Sequence, residues 1–180
     1  MTDFMWDNFF RRNQNEKDLA RVLQKNFLFQ DLNALELHLV ERIVNIRHYQ
    51  PGEVVFRQGD VGVGMYIITK GVINIYVEEI IPETGAQKMT HITQLKQSEF
   101  FGDLALVENN GLRSASAVAQ QECELISFFK SDLLEVTNRN PTAGVKILLR
   151  LSEILGTRLR QTTTRLSELN PKPTPTGGSR

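Results

Sequence analysis

The residue types in this 180-residue chain best suited to chemistry cluster at Phe101-Gly102-Asp103-Leu104-Ala105-Leu106 and at Arg113-Ser114-Ala115, with the arginine eleven residues after Gly102. The first segment reads as a turn followed by one helical turn, and the second as an arginine opening a strand. Gly102 can take positive φ and lets a ligand approach the backbone. The N–H groups from Asp103 to Ala105 begin a short helix without intrahelical acceptors, an arrangement that attracts an anion. Arg113 brings a permanent positive charge and a planar fork of donors matched to phosphate oxygens. Asp103 is an acceptor beside that anion site, so it suits a hydroxyl. A ring carrying both a phosphate and a free hydroxyl satisfies the whole set.

These residues need a scaffold to hold them. From Tyr49 to about residue 129 the chain reads as short strands separated by turn signals. Pro51-Gly52-Glu53 and Gly59-Asp60 are turns around Val54-Val55-Phe56. Met65 to Ile68 and Val72 to Val77 are strands broken at Gly71. Pro82 to Ala86 make a hairpin tip before His91 to Leu95, and Ala115 to Ala119 and Glu124 to Phe129 complete the set. Regular short strands with glycine corners indicate a sandwich or barrel, here a jelly roll. Helical periodicity flanks it. Residues 16–47 carry one stripe at Leu19, Val22 and Leu23, and a second at Leu32, Leu35, Leu39, Val40, Ile43 and Val44, capped by Asp31 or Asn33. Residues 130–169 return to helix with a joint at Asn140-Pro141. In the last helix Val145, Leu148, Ser152, Leu155, Leu159, Thr162, Leu166 and Leu169 form a coiled-coil seam. Ile147, Leu151 and Ile154 lie on a neighbouring face that would cover the barrel. The expected organisation is a helical extension at 1–47, a β jelly roll at 48–130, C-terminal helices at 131–169 and a disordered tail at 170–180.

The segment at 101–116 resembles the phosphate-binding cassette of cyclic-nucleotide-binding domains, which runs Phe-Gly-Glu-Leu-(Ala/Gly)-Leu, a loop, then Arg-(Ala/Ser)-(Ala/Ser). The loop length matches the catabolite-activator branch of that family. The runs Pro51 to Asp60 and Met65 to Gly71 resemble its glycine-cornered opening strands. The resemblance implies that Arg113 pairs with the cyclic phosphate, Ser114 is a second phosphate contact and Asp103 holds the ribose 2′-hydroxyl. Gly102, Leu104, Ala105 and Ala115 complete the implied ligand site. Asp103 stands where the family usually has Glu, one methylene longer. The long helix resembles the dimer helix of catabolite activators and puts Thr162 and Thr163 at base-contacting positions. A second reading of these threonines is a polar break that sets the helix register.

The resemblance implies a sensor of cyclic AMP first and cyclic GMP second, which transmits binding to an unidentified downstream protein and dimerises through the C-terminal helix. The alternative is a degenerate domain that binds no nucleotide and serves as an interaction or dimerisation module. Lys plus Arg equals Asp plus Glu at 21 each, so there is no general pull towards nucleic acid or anionic membranes. Too few residues follow the long helix for a helix-turn-helix, so no nucleic-acid partner is expected. His38, His48 and His91 are scattered, Cys123 is the only cysteine, and no metal or enzyme constellation is expected. No apolar run is long enough for a spanning helix, and a cytoplasmic location is the default. Phe4, Met5, Trp6, Phe9 and Phe10, followed by Arg11-Arg12, form an apolar-basic segment whose aromatic residues share a helix face, expected to pack on the domain, to meet a partner or, as a further alternative, to anchor on a membrane.

Overall fold

The computed structural model describes residues 19–82 and 84–169. The aromatic segment at 3–12 and the proline-rich tail lie outside the described residues. Residues 19–25 are helical (α1) and α2 spans Ala34–Glu41. The strands are β1 (Asn45–Tyr49), β2 (Val54–Phe56), β3 (Gly64–Lys70), β4 (Val72–Ile80), β5 (Gln87–Lys96), β6 (Phe100–Phe101), β7 (Ser116–Ala119) and β8 (Cys123–Phe129). Two helices follow, α3 (Lys130–Arg139) and α4 (Pro141–Leu169). The strands pair antiparallel in two four-stranded sheets of order β1-β8-β3-β6 and β2-β7-β4-β5. This is the expected mainly β jelly roll with flanking helices and a long C-terminal helix.

Strand alternation builds two cores. Successive side chains of a strand point to opposite faces. In β3, Tyr66 and Ile68 point between the sheets, where they join Tyr49, Ile73, Phe101, Ala117 and Leu125. Met65 and Ile67 point the other way and, with Ile126 and Phe128 of β8, meet the helices. That helical layer contributes Leu23, Phe29, Leu37, Val40, Leu133, Val136, Ile147 and Leu151. The central strands of the first sheet, β3 and β8, are therefore buried on both faces, and the face of α4 read as covering the barrel does so.

Two local expectations change. The helical periodicity read through residue 47 ends at Glu41, because the N–H groups of Ile43 and Val44 both turn back to Val40 O at 3.0 and 3.1 Å. The β-branched Ile43, Val44 and Ile46 favour extended backbone, and β1 pairs from Asn45↔Ser127 to Tyr49↔Cys123. The jelly roll thus begins within the stretch read as helical extension. Leu35, counted in the second stripe, is exposed, while Leu37 is buried. Asn33 is the cap of α2: its side chain accepts from Glu36 N–H at 3.0 Å, and Glu36 accepts from Asn33 N–H at 2.8 Å.

Candidate functional site

The cassette runs from β6 into a short 3-10 turn, Asp103–Leu106, and returns along the 59–62 segment. Gly102 opens the turn at φ 77°, a left-handed conformation that disfavours any side chain. A Cβ there would stand 2.6 Å from Arg113 Nη1, so glycine also makes room for the arginine. The return strand is pinned by Gly62 N–H to Gly111 O at 2.9 Å, Arg113 N–H to Asp60 O at 2.8 Å and Gly59 N–H to Arg113 O at 2.9 Å. Ala105 N–H donates to Gly102 O at 3.2 Å. Asp103 and Leu104, the first two residues of the turn, have N–H groups with no acceptor within it.

A cavity of about 270 Å³ is lined by the cassette, by Phe56, Ile75, Thr93 and Leu95 of the second sheet, and by Arg158 of α4. Arg113 is 7% exposed. Its Nη2 donates to Gly64 O at 2.7 Å and its Nη1 to Gly102 O at 3.1 Å. The guanidinium lies 4.0 Å from the Phe56 ring centroid, and Phe56 packs on Tyr66 and Phe101. Nε is buried with no partner among the described residues. Burial draws the Arg113 pKa below the ordinary arginine value, against the opposing influence of Tyr66 and Asp60. The contacts holding this cation are two neutral carbonyls and an aromatic face, a combination that leaves its charge to be met from the cavity.

Asp103 is 1% exposed. Its Oδ1 accepts from Arg158 Nη1, and its Oδ2 is buried with no partner among the described residues. Arg158 also lies 5.2 Å from the Phe100 ring centroid. The carboxylate of the cassette is therefore tied to the C-terminal helix.

Of the residues singled out in the sequence, Gly102, Asp103, Leu104, Ala105, Arg113, Ser114 and Ala115 all line the cavity. Thr162 and Thr163 do not. Both are exposed on α4, where their hydroxyls donate to Arg158 O and Leu159 O at 2.9 Å. Sequence reasoning missed Phe56 and Arg158. Arg158 sits one helical turn before Thr162, so the i, i+4 spacing places it on the same face and could have flagged it. Nothing local marks Phe56, which reaches Arg113 only through the packing of the second sheet. Among the described residues, no group of three His, Cys, Asp or Glu side chains could hold a metal ion. No helix among them is long and apolar enough to cross a membrane.

The chain is 32% identical over 134 residues to the cyclic AMP receptor protein of Thermus thermophilus, covering 74% of this chain and 57% of that protein. It is 31% identical over 105 residues to the cAMP-dependent protein kinase regulatory subunit of Debaryomyces hansenii, covering 58% of this chain and 21% of that one. The chain thus spans little more than half the length of the first relative and a fifth of the second. The crystal structure of the Thermus thermophilus catabolite activator protein superposes with a TM-score of 0.68 at 30% identity, covering 81% of this chain and 63% of that one. The family description "cyclic nucleotide-binding domain" matches residues 46–140, which take in both sheets apart from Asn45, the cassette and α3, and the chain belongs to that family.

Proposed function

We propose that the chain senses a cyclic nucleotide, with cyclic AMP as the first choice and cyclic GMP the second, and passes binding on to a partner protein through its helices. The observation that carries this reading is the buried Arg113 guanidinium, held by carbonyls and open to the cavity. A cyclic phosphate bears a single negative charge that matches it. The phosphate would also accept from the N–H groups of Asp103 and Leu104, with Ser114 alongside. Asp103 Oδ2, buried and unpartnered, would accept from the ribose 2′-hydroxyl. The base would extend towards Ile75, Thr93 and Leu95, with the end of α4 nearby.

The Arg158–Asp103 contact supplies the route outwards. A ligand that engages Asp103 changes the surroundings of Arg158, and so favours one position of α4 over another. The exposed seam of α4 is the surface through which a second copy would read that position. Thr162 and Thr163 would then meet the base from a helix of the dimer. Adenine is favoured because the threonine hydroxyls, whose protons are held by Arg158 O and Leu159 O, remain acceptors for its amino group.

A second reading keeps its place because Asp103 is already engaged by Arg158. In a degenerate interaction module this pair would close the cavity and no nucleotide would enter. Calorimetric titration with cyclic AMP and cyclic GMP separates the two. The sensor binds at least one of them with one site per chain; the module gives no saturable heat with either.

A further inference from the structure

A second cavity of about 200 Å³ shares no lining residue with the first. Arg21, Lys25 and Asn26 form one wall, and Ile68, Gln97 and Ser98 stand among the residues of the others. Arg21 and Lys25 are one helical turn apart on α1, so their like charges lie on one face and repel each other. Asn26 is 4% exposed. Its Oδ1 accepts from Leu28 N–H at 3.0 Å, which fixes the orientation of the amide. Among the described residues its buried Nδ2 has no hydrogen-bond partner. A buried donor left empty is costly and calls for an acceptor. Thr69, also in the lining, is already committed, its hydroxyl donating to Glu124 O at 2.8 Å. The adjacent carboxylate of Glu99 is committed too, accepting from Lys96 N–H at 2.7 Å.

The cavity thus combines two cations, one unused buried donor, and the amide and hydroxyl of Gln97 and Ser98 across from them. We propose that it binds a small phosphate-class oxyanion, with Arg21 and Lys25 neutralising its charge and Asn26 Nδ2 donating to one of its oxygens. A tetrahedral dianion matches two positive charges and can accept from opposing walls at once. Bound there, it would link α1 to the turn between β5 and β6, the strand that leads into the cassette. The anion could be free phosphate or the head of a small phosphomonoester.

The test is site-resolved NMR on the full chain at constant ionic strength, with inorganic phosphate, glycerol phosphate and chloride in separate titrations. Saturable shifts of the Asn26 side-chain amide and the Ser98 backbone amide are expected with one or both phosphate probes and not with chloride. These shifts are distinct from any at Gly102 to Ala105, which would report the cassette. Asn26→Asp keeps the acceptor for Leu28 N–H and replaces the donor with a carboxylate oxygen; it should weaken binding at least tenfold. Arg21→Gln with Lys25→Gln changes only exposed side chains and should do the same if Asn26→Asp fails to fold. Absence of saturation with either phosphate probe, equal shifts with chloride, or wild-type binding in the double variant would overturn the proposal.

Discussion

On the proposed reading Arg113 has two tasks, and they predict two losses. Its fork holds Gly64 O and Gly102 O, and its charge would meet the ligand. Arg113→Ala should cost about 2–5 kcal/mol of cyclic-nucleotide binding, the scale for removing one partner of a buried charge pair. The two carbonyls that lose a donor also predict a stability loss of about 1–3 kcal/mol, measurable by denaturant titration. Gly102→Ala should weaken binding as well, since the new methyl group meets Arg113 Nη1 at 2.6 Å and the backbone sits at positive φ. For Asp103, a 2′-deoxy ligand should bind about 1–3 kcal/mol more weakly than its parent, because Oδ2 would again lack a donor; equal affinities would give Asp103 another part. The spacing of Gly102, Asp103 and Arg113 was legible because the chemistry is local to one turn and its return strand. Phe56 and Arg158 were not, because sheet packing and helix docking bring them in. Arg158 is 55 residues from Asp103 along the chain.

At the scale of elements, α4 is held by two ion pairs to α2 and to the connection that precedes it. Arg150 grips Asp31 with both Nε and Nη2, at 2.6 and 2.8 Å, and Lys146 meets Glu36 at 2.6 Å. The Lys146 ammonium holds the Glu36 carboxyl below its ordinary value of 4.5, helped by Asn33 N–H and opposed by burial. A depressed folded-state pKa gives stability that is present above the unfolded value and is lost as pH falls through the folded one. Lys146→Ala should therefore lower stability at neutral pH by about 1 kcal/mol, a modest figure because Lys146 is 32% exposed. The difference from wild type should shrink below about pH 4.5 as Glu36 is protonated; a difference independent of pH would assign the loss to packing alone. The strands of the cores were legible where alternation or a glycine corner marks them, as in β3 and β4. β1 was hidden because Ile43 and Val44 extend the apolar spacing of α2 into it. β6 was hidden because two residues carry no period.

For the whole molecule, the exposed seam of α4 is the feature that a single copy leaves unused. Leu159 is 69% exposed and Leu166 56%, while Ile147 and Leu151, nearer the start of α4, are buried. Sedimentation should show a dimer, and Thr162→Leu should tighten it by completing the apolar seam. A monomer at high concentration would reduce Thr162 and Thr163 to a polar break in the stripe. The most direct test of the central claim leaves the chain unaltered, because Arg113 also supports the fold. Calorimetric titration of the wild-type chain with cyclic AMP and with adenosine compares the same base and ribose with and without the phosphate. The account predicts saturable binding of cyclic AMP at one site per chain, with adenosine weaker by at least about 30-fold, the equivalent of 2 kcal/mol. Equal binding of the two, or no binding of either cyclic AMP or cyclic GMP, would contradict it.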